Sequence, residues 1–215
     1  MHPPQDPGPK EALSMSERPV VVVMAAGRGG RFAGASHKLV QALGASTVLG
    51  TTLAQVMESR LPCVVVTTPA LEPEAARVVA RRDLVVIPQQ EADKGIGHTM
   101  AAGVQARAQA PGWLLLPADM PLVGPGTIAA VAQALPQHTA VVAQHHGRRG
   151  HPVGFSSGLY SELMSLVGED GLRRLLARYP AHGVEVADAG VLFDVDTEAD
   201  LEAARAMVPA LGLAG

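Results

Sequence analysis

The residues from Val20 to Gly34 read VVVVMAAGRGGRFAG. Four valines run into a loop that holds Gly27, Gly29, Gly30 and Gly34 with Arg28 and Arg31, and Lys38 follows shortly after. Glycines admit positive φ and let backbone N–H groups come close to phosphate oxygens. The cationic side chains can neutralise a triphosphate. Two common phosphate loops do not fit: the third glycine of a Rossmann fingerprint is Phe32 here, and no G-K-[ST] tripeptide exists for a Walker loop. The stretch is a phosphate cradle of another kind or, more plainly, a glycine-rich surface turn.

Carboxylates recur at the ends of apolar runs. In LLLPADMPLV (114–123), Asp119 follows the leucines and precedes Pro121. A strand-end carboxylate facing a phosphate loop is a natural Mg²⁺ ligand; the alternative is a cap on the next helix, from which Pro121 and Val123 separate it. FDVDTEADL (193–201) adds Asp194 and Asp196. Two apart, they share one side of a strand. With Asp119 they would form an Mg²⁺ site; otherwise they are a polar strand end beside a helix cap.

Two further stretches are polar. HHGRRGHPVGF (145–155) contains three histidines, but no cysteine lies near, and His145 and His146 point apart if extended, so zinc is not expected. Arg149 and His151 suit a phosphorylated acceptor, and Arg148 reads as a solvated turn charge. In DKGIGHTMAAGV (93–104), Gly95 and Gly97 precede a helix whose amides could bind a nucleotide, with Thr99 able to donate a hydrogen bond.

Elements that would position these groups alternate along the chain. VVVVM (20–24), CVVVT (63–67), LVVI (84–87), WLLLP (113–117) and AVVA (140–143) are short and apolar, as in strands buried on both faces of a parallel sheet. Helix-length segments span 47–60, 71–81, 98–109 and 125–135, which implies right-handed crossovers and a three-layer α/β/α sandwich. Residues 147–155 read as a turn and a strand over the sheet's edge, followed by helices at 157–167 and 170–178. A last strand is expected at 190–196, then a helix at 197–207 capped by Thr197, with Asp200 completing a capping box. In such sheets ligands bind beyond the carboxyl ends of the strands, where 25–38, 117–121 and 194–196 fall.

These motifs, in this order, resemble the nucleotidyltransferase superfamily over residues 20–207. A-A-G-x-G-x-R-F with the later Lys resembles its nucleotide loop, and the sheet expected around it is Rossmann-like and mostly parallel. The resemblance implies a nucleotide-diphospho-sugar transferase type of fold. It also implies that Arg31 and Lys38 hold phosphates as catalytic cations, that Ala25, Ala26, Gly27, Arg28, Gly29 and Gly30 surround the nucleotide with Gly97 and Thr99, and that Asp119 is catalytic as a metal ligand. R-G-H-P-V-x-F (149–155), GEDGLRRLL (168–176) and the aspartate-rich close resemble the molybdenum cofactor cytidylyltransferase branch. That branch implies an acceptor site with Arg149, His151, Asp170 and Arg173, although Arg173 alone would read as a helix-surface charge. Departures are Glu198 and Ala199 where Pro and Glu are usual, and His98 and Thr99 where the branch has a serine-rich stretch. Ala25–Gly27 resembles the cytidylyl form of the loop, so CTP is expected over GTP, Mg²⁺ as cofactor, and molybdenum-bearing molybdopterin as acceptor. The rivals are guanylyl or another small-phosphate transfer, and a non-catalytic cofactor chaperone for a molybdenum hydroxylase.

Composition narrows the field. The chain has 215 residues, a net charge of -3 and 47% hydrophobic residues with only 3% aromatic, so its core must be aliphatic and a general affinity for nucleic acid is not expected. One cysteine, Cys63, lies in an apolar run and reads as a buried inert thiol. Residues 1–18 are expected to be a disordered Pro-rich tail and 19–215 a single domain. With no membrane-length apolar run and no signal-like start, a cytoplasmic protein is expected.

Overall fold

The computed structural model describes residues 18–29, 32, 36–168 and 170–208. Residues 1–17 of the tail expected at 1–18, and Gly30 and Arg31 of the glycine loop, lie outside the described residues. In chain order the main elements begin with β1 (Val20–Ala25), the short pair β2 (Ala42–Leu43) and β3 (Ser46–Thr47), α1 (Val48–Glu58) and β4 (Cys63–Thr67). They continue with α2 (Glu72–Ala75), β5 (Leu84–Val86), α3 (Gln89–Ala92), α4 (Ile96–Ala106), β6 (Gly112–Pro117) and α5 (Pro125–Ala134). The rest are β7 (Ala140–His145), β8 (Arg148–Ser156), α6 (Tyr160–Met164), α7 (Gly171–Arg178), β9 (His182–Glu185) and α8 (Glu198–Met207).

Seven strands form one mixed sheet in the order β5-β4-β1-β6-β8-β7-β9, with helices on both faces. The valine run of β1 shows why two layers of helix are needed. Alternate side chains point to opposite faces, so Val21, Val23 and Ala25 enter one core with Leu53, Ile128 and Leu201. Val20, Val22 and Met24 enter the other with Met100, Trp113 and Leu163. Gly103 lets α4 lie close on the sheet: a Cβ there would stand 2.3 Å from Val22 and 2.9 Å from Val66. Trp113 donates its indole N–H to the Arg107 carbonyl at 3.0 Å, so its burial leaves no unpaired donor.

β1 pairs in parallel with β4 on one side and β6 on the other. The chain travels outward from β1 through β4 to β5, then returns to place β6 on the opposite flank. That reversal opens a crevice beyond the carboxyl ends of β1 and β6, where α/β sheets bind ligands.

The structure corrects four expectations. Residues 148–156 form no edge excursion; β8 inserts between β6 and β7, antiparallel to both. Its direction brings Arg148–His151 to the carboxyl end of β6. The stretch 190–196 is not a strand. Ala189–Leu192 is a 3-10 turn with an extended segment after it, and the edge position belongs to β9, parallel to β7. Despite its β-favouring residues, the stretch is drawn off the sheet by close backbone seats: a Cβ on Gly190 would meet Leu122 O at 2.1 Å. The helix expected at 71–81 shortens to α2, with a 3-10 turn at Arg81–Asp83: past Ala75 the Arg77 and Val78 N–H groups bond three residues back instead of four, which tightens the chain into turns. The helix expected at 157–167 is a 3-10 turn followed by the five-residue α6. The Thr197–Asp200 capping box is present at α8.

Asp188 holds two of these pieces together. One carboxylate oxygen accepts from the Gly124 N–H at 2.9 Å and the Thr127 hydroxyl at 2.6 Å, and the other from the Gly190 N–H at 2.9 Å. It thereby fastens the start of α5 to the 189–192 turn. Asp188→Ala is expected to cost about 2 kcal/mol, because it strands three donors in a part-buried place. Thermal unfolding should show a Tm lower by about 6 °C; an unchanged Tm would show that water replaces the carboxylate without loss.

Candidate active site

Three segments converge on the crevice. The first leaves β1 as the glycine loop and leads to the 3-10 turn Lys38–Val40, capped by His37. The His37 Nδ1 accepts from the Leu39 N–H at 3.2 Å, so the ring proton sits on Nε2, which donates to Gly27 O at 2.8 Å. This ring sets the loop's path, with Gly29 at φ 62° directly beneath it. The second segment is the end of β6. Ala118 donates its N–H to Met24 O at 3.2 Å and accepts from the Thr52 hydroxyl at 2.8 Å. The third is 193–196, fixed where Val195 N–H donates to Asp119 O at 2.8 Å.

This framework brings Lys38, Asp119 and Asp196 into contact. The ammonium of Lys38 stands 2.6 Å from Asp119 Oδ2 and 2.6 Å from Asp196 Oδ1. Lys38 is only 8% exposed, an unusual depth for a lysine. Burial works against its charge, yet the two carboxylates hold its pKa above the ordinary lysine value. Asp194 lies against Asp196, and its pKa is raised by burial first, then by the hydrogen bond with Asp196 and the charges of Asp196 and Asp119. Asp119 Oδ1 is buried and has no hydrogen-bond partner among the described residues.

A cleft of about 300 Å³ opens over this cluster, lined by Gly27, Gly29, His37, Lys38, Thr99 and Asp119 among others. Its outer rim is closed by a pair between Arg28 and Asp93, with Gln89 also donating to Asp93. The hydrogen bond and charge of Asp93 raise the Arg28 pKa, and Arg28 in turn lowers that of Asp93.

Of the sequence-derived site residues, Lys38, Asp119 and Asp196 meet directly, and Gly27, Arg28, Gly29 and Thr99 join them around the cleft. Ala25 and Ala26 are buried beneath it. Gly97 does not offer its amide: that N–H donates to Gly168 O at 3.2 Å, and α4 begins at Ile96, one residue before it. His98 turns away from the cleft into a separate groove with Ala101, Ala102, Gln105 and Met164. His151 is half-buried near Asp119, its pKa lowered chiefly by desolvation, while Arg149 donates to Ala181 O at 3.2 Å. Asp170 and Arg173 pair with each other at 3.3 Å in the open, as helix-surface charges do. The rings of His145 and His146 do not point apart; they lie 4.2 Å from centroid to centroid because His146 has φ 48°.

Two residues of the cleft escaped the sequence reading. His37 carries the signal of a helix cap just before Lys38, and Asp93 is an acid at the end of a short helix with no local mark of its partner. His37→Ala is expected to weaken nucleotide binding by about tenfold, since the ring's bond to Gly27 O, which sets the loop, is lost together with its cap on the Leu39 N–H. The Tm should scarcely move. Equal affinity in calorimetric titration would show that the glycine loop holds its path without the ring.

Among the described residues, no three His, Cys, Asp or Glu side chains are arranged to hold a metal ion, and Lys38 lies between two of the aspartates. The donor set nonetheless suits a hard divalent cation. All three groups are carboxylates, and among the described residues one buried oxygen of Asp119 has no partner.

Residues 21–184 match the model of the MobA-like NTP transferase domain, and the chain belongs to that family. The purine catabolism protein PucB of Bacillus subtilis (strain 168) is 33% identical over 121 residues, 54% of this chain. The match takes in 58% of that protein's length. Rv0371c of Mycobacterium tuberculosis H37Rv superposes with a TM-score of 0.74 at 26% identity, covering 89% of this chain and 98% of its own. The same mycobacterial protein has also been solved in complex with manganese. A nucleotidyl transferase from Methanothermobacter thermautotroptrophicus shares the fold, with a TM-score of 0.75, 23% identity, and 90% and 99% coverage. Among the described residues no helix is long and apolar enough to cross a membrane.

Proposed function

We propose that the protein transfers CMP from CTP to the terminal phosphate of molybdenum-bearing molybdopterin and releases pyrophosphate. The observation that carries this reading is the contact of Lys38 with Asp119 and Asp196 beneath the glycine loop. An acceptor phosphate oxygen attacks the α-phosphorus; one P–O bond forms, the α–β bridging bond breaks, and pyrophosphate departs. An ionised phosphate needs no general base, so positioning and charge neutralisation carry the rate. Lys38, with Arg31 of the same loop, offsets charge on the phosphates. Arg28 adds a third cation once the nucleotide draws it from Asp93. His37 fixes the loop that presents its amides.

Asp119 and Asp196 would hold Mg²⁺, with Asp194 behind them, and the ion would supply Lewis-acid charge at the phosphate oxygens. The manganese complex of the mycobacterial relative supports a divalent cation in this family. We assign the acceptor to the β8 side of the cleft, where His151 lies within the electrostatic reach of Asp119; Arg149 would join it by leaving the Ala181 carbonyl it now holds. The Bacillus subtilis relative bears the name of a purine catabolism protein, and a molybdenum hydroxylase acting on purines is a client that joins that name to this chemistry.

Pyrophosphate release with Mg²⁺, molybdopterin and either CTP or GTP tests the reading. Release with CTP alone is expected. Release with GTP alone keeps the chemistry and overturns the base; tight nucleotide binding without release from either favours the chaperone.

A further inference from the structure

In the free protein the place between Asp119 and Asp196 is taken by the protein's own cation. The Lys38 ammonium reaches both carboxylates at 2.6 Å, and the groups are enclosed: the side chains of Lys38, Asp119 and Asp196 are 11%, 19% and 14% exposed. Neither acid can retreat. Asp119 is fixed by the Val195 N–H on its own carbonyl and by the anchored Ala118 before it, while Asp196 donates its N–H to Asp200 of the α8 capping box at 3.2 Å. Lys38 is the member with somewhere to go. It stands on a single 3-10 turn at the end of the glycine loop, and its side chain lines the cleft where a triphosphate would enter.

We infer that Lys38 is an internal stand-in for the divalent cation, closing the carboxylate pair until a nucleotide draws the ammonium onto its phosphates. The inference rests on the proposed reading of Asp119 and Asp196 as cation ligands. An ammonium in contact with both carboxylates and a divalent ion on the same oxygens repel at short range in a place with little solvent. Metal and lysine therefore compete in the free protein. The triphosphate ends the competition, because it gives Lys38 a new anionic partner and takes the ammonium off both carboxylates together. Metal and nucleotide then bind with positive coupling, each raising the affinity for the other by the same factor. In the free enzyme the lysine offsets part of the carboxylates' charge, and a metal without nucleotide finds the site closed.

Manganese binding to the full chain without nucleotide, followed by electron paramagnetic resonance, tests this directly. Wild type should bind Mn²⁺ weakly. Lys38→Met should bind about tenfold more tightly or better, and Lys38→Arg, which keeps the charge, should stay weak. Lys38→Gln removes the charge but keeps a donor for one carboxylate, so it should tighten binding as Met does even if the Met variant folds poorly. Asp119→Asn added to either neutral variant should abolish the gain. If the neutral variants bind Mn²⁺ no better than wild type while Asp119→Asn weakens all of them, the cation site stands and the lysine's role as its stand-in is overturned. If Asp119→Asn changes Mn²⁺ binding in no background, the carboxylate reading itself fails, and the inference with it.

Discussion

Asp119→Asn should reduce pyrophosphate release by about 10³ or more while leaving the fold in place, the scale expected when a preorganised charge at a transferring phosphate is lost. The substitution keeps shape and volume and removes only the carboxylate charge. Asp119 is not needed to cap a helix: α5 has Gly124 as its N-cap and is held by Asp188 instead. Its backbone stays fixed, since Val195 bonds to its carbonyl and not to its side chain. Lys38 retains Asp196 at 2.6 Å, so one ion pair survives. What disappears is the buried oxygen that has no partner within the described protein. Stability should therefore shift little and turnover greatly. Affinity for nucleotide measured without metal should be near wild type, which separates this loss from collapse of the glycine loop. Near-normal turnover in the Asn variant would mean that Asp196 and Asp194 serve without it.

The sequence made the sheet's centre and the charged crevice legible for local reasons. A run of four valines is buried on both faces whatever its neighbours are, and a glycine loop on one side with carboxylates at later strand ends points to one edge of the sheet. Lys38, Asp119 and Asp196 are 81 and 77 positions apart in sequence (119 − 38 and 196 − 119); strand-end logic brings Asp119 to the loop that carries Lys38, whereas Asp196 arrives on a segment outside the sheet, held where the Val195 N–H meets Asp119 O. Partner choice was not legible. Nothing in RGHPVGF states that β8 slips between β6 and β7, because an antiparallel strand buried on both faces has the same composition as an edge strand with a helix against it. The segment 190–196 has strand residues but loop partners, and only the backbone seats of Gly150 and Gly190 reveal why. His98 could have been placed from periodicity: with Ala101, Ala102 and Gln105 it follows the i, i+3, i+4, i+7 spacing of one helix face, and Thr99 falls on another. Gly97 failed for a different reason. Its amide is taken by Gly168 O, a contact made across 71 residues (168 − 97) that no local pattern announces.

Gly150 illustrates how a motif that looks chemical can be a packing joint. It lies in RGHPVGF between Arg149 and His151, yet its task is to be bare. A Cβ there would stand 1.9 Å from Val191 O and 2.7 Å from the Val191 carbonyl carbon. Both are backbone atoms, and the turn that carries them is tied down by Asp188 and by Gly190 against Leu122 O. No rotamer change relieves such a contact, so β8 and the 189–192 turn must separate. Gly150→Ala is therefore expected to cost about 3 kcal/mol, the upper part of the range for an overpacked site, and to lower the Tm by about 10 °C. The damage should reach the chemistry, because the turn leads directly into 193–196. Shifting it pulls Asp196 from Lys38 and breaks the Val195–Asp119 bond, so turnover should fall in the folded protein well below the melting range. Gly126→Ala is the matched control: a Cβ on this α5 glycine would meet nothing within 4 Å, and the alanine should be neutral or stabilising by about 0.5–1 kcal/mol. If Gly150→Ala instead melts with wild type while Gly126→Ala behaves as expected, the 189–192 turn yields freely, and the rigid placement of Asp196 needs another cause.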